Sequence, residues 1–490
     1  MEQTTSIATK IDELSSLVKS IGASTDEELQ SQVQTLKELG EKIKNEIVSI
    51  PASTYKKSYR LLKNVHLYRS LMIQEITIDS KGNIIRYGDV LMKGHSLNDI
   101  TSGAARSHSD SFTRVMLPSN IEFVEVFGGH NVFFALPKEG NYLYAWGVNT
   151  SGCAGNGTTD DITLPQKIDL TFRPKKIFCG KSQATGKQTT LILSEDGKVY
   201  GAGTNTSGEL GIGNNINVST FTQSPYLKDI QDISFASDGS IGYALAIDSK
   251  GALWGWGYNA NGNLGLNNTD NITIPARLEF NEGVSKISTS VNNNTATSFI
   301  LMNDGSIRGA GYNGECQLSQ TNTAQSNVFI RLLKQNTQEL INIREIYASA
   351  YRGTCFAIDN DNNLWSWGYG AQGFGDSRSG NTLMASVALE SVDTLEHIET
   401  QHTRAFCTMK DSSAILAFGL NTDGALGIGT STNTREFLNI PLPPNYKDFC
   451  LYYFANEANI ALLNDEGVYS CGTKQDGNIN LSTQTLQKQY

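Results

Sequence analysis

Seven times between residues 144 and 480 the chain writes one pattern: a bulky residue, a small one, a second bulky residue, and glycine. A loop of the form Asn-x-x-Gly-x-Leu-Gly then follows, whole or degraded. The fullest copy starts at Trp254-Gly255-Trp256-Gly257, continues through Tyr258-Asn259, and ends at Leu264-Gly265. The marker glycines are Gly147, Gly203, Gly257, Gly311, Gly368, Gly419 and Gly472, separated by 56, 54, 54, 57, 51 and 53 residues. A fixed period of this size restricts the chain to a solenoid or a propeller.

Each period divides into the same parts. A short strand with apolar residues three apart comes first (Ile230 and Ile233, Val284 and Ile287, Ile343 and Ile346, Leu395 and Ile398), followed by a strongly apolar strand such as Leu191-Ile192-Leu193. Hairpin turn chemistry comes next, as in Glu195-Asp196-Gly197, Asp248 to Gly251 and Asn303-Asp304-Gly305. The marker strand returns, and a more polar strand closes the unit. That strand often carries proline (Leu164-Pro165, Ile274-Pro275, Ile440-Pro441), which an edge strand tolerates. Four short strands in about 50 residues make one propeller blade.

The marker strand predicts how blades stack. Tyr144, Tyr200, Trp254, Arg308, Trp365, Leu416 and Tyr469 stand three before the glycine; Trp146, Ala202, Trp256, Ala310, Trp367, Phe418 and Cys471 stand one before it. Alternation puts these two sets on one face and the small residues between them on the other. All five tryptophans fall in these sets, which points to packing between blades rather than ligand binding. Arg308 is expected to form an inter-blade charge pair. The loop glycines suit positive backbone angles, and its leucine can plug under the turn. No copy carries the lysine and hydroxyl of a phosphate-binding loop.

These features, with Gly129-His130 and Phe133 to Leu136 opening the first copy, resemble the regulator-of-chromosome-condensation repeat over roughly residues 112–480. The resemblance implies a seven-bladed β-propeller. Three copies are degraded: Gln317-Leu318-Ser319, Gly373-Phe374-Gly375 and Asn478-Ile479-Asn480 stand where the loop motif is expected. The family includes a nucleotide-exchange factor, an enzyme inhibitor and many binding scaffolds, so the fold implies a scaffold and nothing finer.

Before the repeats the rule changes. Ile7, Ile11, Leu14, Val18 and Ile21 step by four and three. After a break with capping-box residues (Ser24 with Glu27, or Thr25 with Glu28), Leu29, Val33, Leu36, Ile43 and Ile47 resume the spacing until Pro51. Residues 1–50 are therefore expected to be helical and to serve oligomerisation or docking, with a homotrimer as the first expectation, since isoleucine-rich seams favour three strands. The alternative is a hairpin folded on its own chain. Residues 51–111 read as a junction. It contains a hairpin over 71–88, either an eighth, degenerate unit or a collar. Residues 112–490 form the propeller.

Composition narrows function. A net charge of −10 without a basic run argues against a nucleic-acid partner. No stretch is apolar enough to enter a membrane. Seven cysteines without a Cys-x-x-Cys pair do not form a disulfide framework. His397 and His402 lack metal-ligand spacing, and Asp160-Asp161 lies in a loop. No catalytic constellation, cofactor or metal is expected, so the protein is read as a non-enzymatic binding propeller. The stalk-then-propeller order is similar to phage fibres. It gives a first reading: a virion appendage that displays a head for host-surface attachment and touches other virion proteins. The alternative is a cytoplasmic regulatory or inhibitory propeller holding a protein partner across one face, with Tyr258, Tyr312 and Tyr369 as rim contacts.

Overall fold

A computed structural model describes residues 31, 33–36, 38, 40, 55–62, 64–65, 70–81, 83–95, 108–128, 132–180, 187–292, 294–335, 337–348, 354–368, 382–389, 395–401, 404–409, 414–419, 421, 424, 426–440, 442, 445–454, 457–464, 467–472 and 483–488. The chain divides into two compact units, residues 1–57 with 76–86, and residues 58–75 with 87–490. In the first, the described positions between 31 and 40 are helical, and Gln34 bonds Glu38 four residues on at 3.0 Å. Val33 is exposed and Leu36 half-buried. The other seam residues, Ile7, Ile11, Leu14, Val18, Ile21, Leu29, Ile43 and Ile47, lie outside the described residues.

Among the described residues the strands form eight sheets, each with four strands in chain order. We number them as blades 1 to 8, spanning 55–115, 123–169, 174–223, 230–278, 284–331, 343–389, 395–439 and 448–488. Blade 2 gains a fifth, two-residue strand, Asn64–Val65, parallel to its first strand Phe123–Gly128. Asn64–Val65 also approaches Asp448–Phe454, the first strand of blade 8, so the last blade meets the chain beside the first. The expected seven blades are thus corrected to eight. The 71–88 hairpin is the centre of blade 1, whose strands are Tyr55–Leu61, Ser70–Asp79, Ile84–His95 and His108–Val115.

Packing shows that blade 1 belongs with the repeats. Leu62, Met72, Val90, Met92 and Val115 share one core with Phe123, Val126, Phe133 and Trp146 of blade 2. Gln74, fully buried, donates to the Ile121 carbonyl (2.7 Å) and accepts from the Phe123 N–H (3.2 Å), carrying hydrogen bonding from one blade to the next. Glu122 accepts from Arg60 and Lys138, each at 2.8 Å, and from Tyr87. Burial pushes the Glu122 carboxyl up, but the bonds from Lys138, Tyr87 and Arg60 outweigh it and hold the group below its usual range. Burial, then Glu122, push the Tyr87 hydroxyl up to about 12.

The hairpin turns follow the expected chemistry. Asp248 Oδ1 accepts from the N–H groups of Lys250 and Ala252, and Asp359 Oδ1 from those of Asp361 and Asn363. Trp254 and Trp365, three before their marker glycines, donate their indole N–H to Asp248 (3.1 Å) and Asp359 (2.9 Å) of their own turn. These two tryptophans therefore lock their hairpins to their own sheets.

Candidate functional site

Function in a propeller depends on which loop residues the fold uses and which it leaves over. The motif asparagines Asn149, Asn205, Asn259, Asn313 and Asn421 are all fully buried. In each, Oδ1 accepts the N–H five residues on: Ala154, Leu210, Leu264, Leu318 and Leu426. Each Nδ2 donates to the carbonyl nine residues on: Thr158, Asn214, Asn268, Asn322 and Thr430. Four also donate their own N–H to a side-chain oxygen twelve residues on: Asp161, Asn217, Asn271 and Asn433. One side chain thus clips both halves of the loop together, as a buried amide must when no water can replace its partners. The sequence reading credited the glycines and the leucine and missed the asparagine. Its signal was the Asn or Asp recurring twelve positions after four of the five motif asparagines, Asn313 being the exception.

The clipped loop is a wedge between blades. Leu210 is fully buried against Gly201, where an added Cβ would lie 2.8 Å from the leucine methyl; Leu264 sits likewise against Gly255. The small residue of the marker strand thus makes room for the loop leucine of its own blade. The loop's outer side meets the next blade: Gly157, Gly213 and Asn267 donate N–H groups to Ser219, Thr273 and Asn327 in the following fourth strands.

Aromatics one before the marker glycine lie at these interfaces. Trp256 donates to the Glu209 carbonyl (2.8 Å) and Trp367 to the Gln317 carbonyl (2.6 Å), both in the preceding blade's loop. Trp146 holds the same position in blade 2, and its buried N–H meets no acceptor among the described residues. Arg308 departs from its expectation. It pairs with Glu282 (3.3 Å) and lies over the Phe280 ring, both in the connector entering its own blade rather than across an interface.

Glu209 is the most deeply buried carboxyl of the loops. Burial pushes it above the usual carboxylate range against hydrogen bonds that include the Ser207 N–H (2.8 Å). The folded state therefore holds the Glu209 proton to higher pH than the unfolded chain does, and this group's contribution to stability is lost as pH rises through that window. Glu209→Gln is expected to raise the melting temperature at pH 7 and to flatten its fall as pH rises past the ordinary glutamate range. An unchanged pH profile in thermal melts would reject this.

Of the expected rim tyrosines, Tyr258 is half-buried and donates its hydroxyl to the Asn294 carbonyl of blade 5 at 3.3 Å. Tyr312 is half-buried with its ring over Gly314. Tyr369 lies outside the described residues. The two described rings cover loop ends. Among the residues the loops leave exposed are those directly after four of the clips: Thr150, Thr206, Ala260 and Gly314. Among the described residues no group of three or more His, Cys, Asp or Glu is placed to hold a metal, and no helix is long and apolar enough to cross a membrane.

A family model described as the regulator of chromosome condensation (RCC1) repeat matches residues 141–185 and 250–296, each running from one marker strand into the following blade. Two stretches of the propeller are thus similar to the RCC1 repeat. Among the relatives, the ultraviolet-B receptor UVR8 of Arabidopsis thaliana is 28% identical over 331 residues, covering 65% of this chain and 70% of that protein. The X-linked retinitis pigmentosa GTPase regulator of the dog, Canis lupus familiaris, is 33% identical over 145 residues. That match covers 30% of this chain and 14% of the dog protein, so the likeness is to a small part of the regulator. The crystal structure of human WBSCR16 superposes with a TM-score of 0.54 at 17% identity, covering 74% of this chain and 91% of that one, a likeness of fold.

Proposed function

We propose that this RCC1-repeat propeller is a non-enzymatic, cytoplasmic regulator that holds a protein partner across one face. The observation behind this reading is the division of labour within each loop. A buried asparagine fixes the backbone, and the residue beside it is left exposed: Thr150 and Thr206 in two blades, Ala260 and Gly314 in two others. A rigid frame that holds exposed loop residues in place is what partner recognition asks of a scaffold. The relatives support the same choice, since they carry the names of a receptor and a GTPase regulator. They favour regulation over the virion appendage considered from the order of helix and propeller.

Light scattering separates the two. The whole chain and a truncation beginning at Tyr55 are both expected to be monomers at micromolar concentration. A trimeric whole chain with a monomeric truncation would overturn the regulatory reading and restore a multivalent appendage assembled through residues 1–50.

A further inference from the structure

The first strands of blades 2 to 6 each carry one charged residue at the same register, immediately past a bulge. Glu125 lies opposite Leu136, Lys176 opposite Leu193, Asp232 opposite Ile247, Lys286 opposite Leu301 and Glu345 opposite Ile358. Going round the propeller the signs run minus, plus, minus, plus, minus. Lys176 Nζ reaches Asp232 of the next blade at 3.2 Å, and Lys286 pairs with Glu345 of the next. Lys176 also attracts the half-buried Glu125 on its other side. Between Asp232 and Lys286 no direct contact forms; two residues beyond Asp232, Ser234 Oγ meets Thr289 Oγ1 at 2.9 Å.

A second alternation keeps step with the first. The acidic blades 2, 4 and 6 carry tryptophan one before the marker glycine (Trp146, Trp256, Trp367). The basic blades 3 and 5 carry alanine there (Ala202, Ala310) and a phenylalanine in the fourth strand (Phe221, Phe329). Apolar packing does not alternate: shared cores join blade 2 to blade 3 through Trp146 and Cys179, and blade 4 to blade 5 through Tyr243 and Val291. Blades 3 and 4 share one core through Leu210 and Trp256, and blades 5 and 6 share another through Leu318 and Trp367.

We propose that the alternating charges on the first strands are an assembly code that sets the order in which near-identical blades pack. Repeats of one design attract any copy of themselves, and misassembly between repeats is the characteristic failure of such chains. With signs alternating, each blade attracts its true neighbour, whereas a blade that skips one position meets its own sign. Half-exposed ion pairs add little individually, but opposed like charges are costly. The code therefore acts mainly by penalising wrong neighbours.

Three variants of the full chain test this at low salt, read by thermal melting and by refolding yield from urea. Lys176→Glu makes three successive carboxylates and is expected to lower the melting temperature by roughly 3–6 °C, a deficit that shrinks as salt rises. The double variant K176E/D232K keeps the direct pair but sets Glu beside Glu125 and Lys beside Lys286; it is expected to remain impaired. The full inversion E125K/K176E/D232K/K286E/E345K restores alternation and is expected to melt within about 1–2 °C of the parent, allowing for the ordinary size of surface-charge effects. Rescue by the double variant would overturn the code in favour of an isolated ion pair. An inversion that melts or refolds as poorly as Lys176→Glu, or a reversal without effect, would overturn it too. Should Lys176→Glu fail to fold, a folded inversion upholds the code and an unfolded one rejects it.

Discussion

Trp256→Ala is expected to cost about 3–5 kcal/mol, the usual range for removing a buried large ring, and adding Pro275→Phe is expected to return roughly 1–2 kcal/mol of it. The reason lies in how consecutive interfaces are filled. The loop glycine six residues after the motif asparagine faces the next blade, and something must fill the space there. At Gly211 the filler is Trp256, with Pro275 beside it; a Cβ on the glycine would lie 3.1 Å from each. At Gly155 and Gly265 the next blade's marker strand offers only Ala202 and Ala310, and the filler is Phe221 or Phe329 from the fourth strand. Register makes these phenylalanines the equivalents of Pro275, each three residues past the partner of its marker glycine. Each of these three interfaces therefore receives one large aromatic, from the third strand or the fourth. In the parent background Pro275→Phe alone should destabilise, because two rings cannot share one space. Urea midpoints for the four proteins of this double-mutant cycle give the coupling. Equal harm from Pro275→Phe with and without Trp256 would refute the exchange.

This exchange marks how far the sequence could be read. The repeat phase, the four-strand blade, the turn chemistry and the packing role of the tryptophans all follow from periodicity, because these residues act within one repeat and recur at fixed positions. Blade 1 stayed open between an eighth unit and a collar because its first strand, Tyr55 to Leu61, carries Lys56, Lys57 and Arg60 and lacks apolar alternation, and because no Asn-x-x-Gly-x-Leu-Gly follows its hairpin. Its membership is decided by contacts from distant residues, such as Gln74 on Ile121 and Phe123. The exchange between Trp256 and Phe221 or Phe329 was written in the sequence. It remained invisible until the structure placed the third and fourth strands against the same glycine. Arg308 shows the opposite case: the reading correctly found an odd residue but could not choose Glu282 as its partner, since connectors carry no period. On the loop face the rim tyrosines were chosen for being aromatic. The residues left exposed beside the clips, Thr150, Thr206, Ala260 and Gly314, are small, and a pattern search for aromatic anchors passes over them.

Asn205→Ala is expected to destabilise by about 1–3 kcal/mol, because it takes the side-chain partner from three backbone groups at once, one of them deeply buried. Those groups are the Leu210 N–H, held at 2.9 Å by Oδ1, and the carbonyls of Asn214 and Ile216, held at 2.9 and 3.1 Å by Nδ2. Asn205→Asp is the sharper probe. It keeps an oxygen for Leu210 but turns the donor into a carboxylate facing two carbonyl oxygens. Burial and those oxygens would push that carboxyl above its usual range. The variant should then be closest to the parent at acid pH, where a protonated carboxyl can still donate one bond, and should lose stability as pH rises through the raised value. Hydrogen exchange across residues 205–217 should report the loop opening in both variants while the strands 189–194 and 199–203 stay protected. If Asn205 instead served a partner directly, alanine would leave exchange and melting unchanged and weaken only binding. A clip and a contact are thus separated without knowing the partner. If the clip reading holds, the proposed partner would meet the exposed neighbours instead, and substitution at Ala260, which makes no side-chain hydrogen bond, should alter binding and leave melting alone.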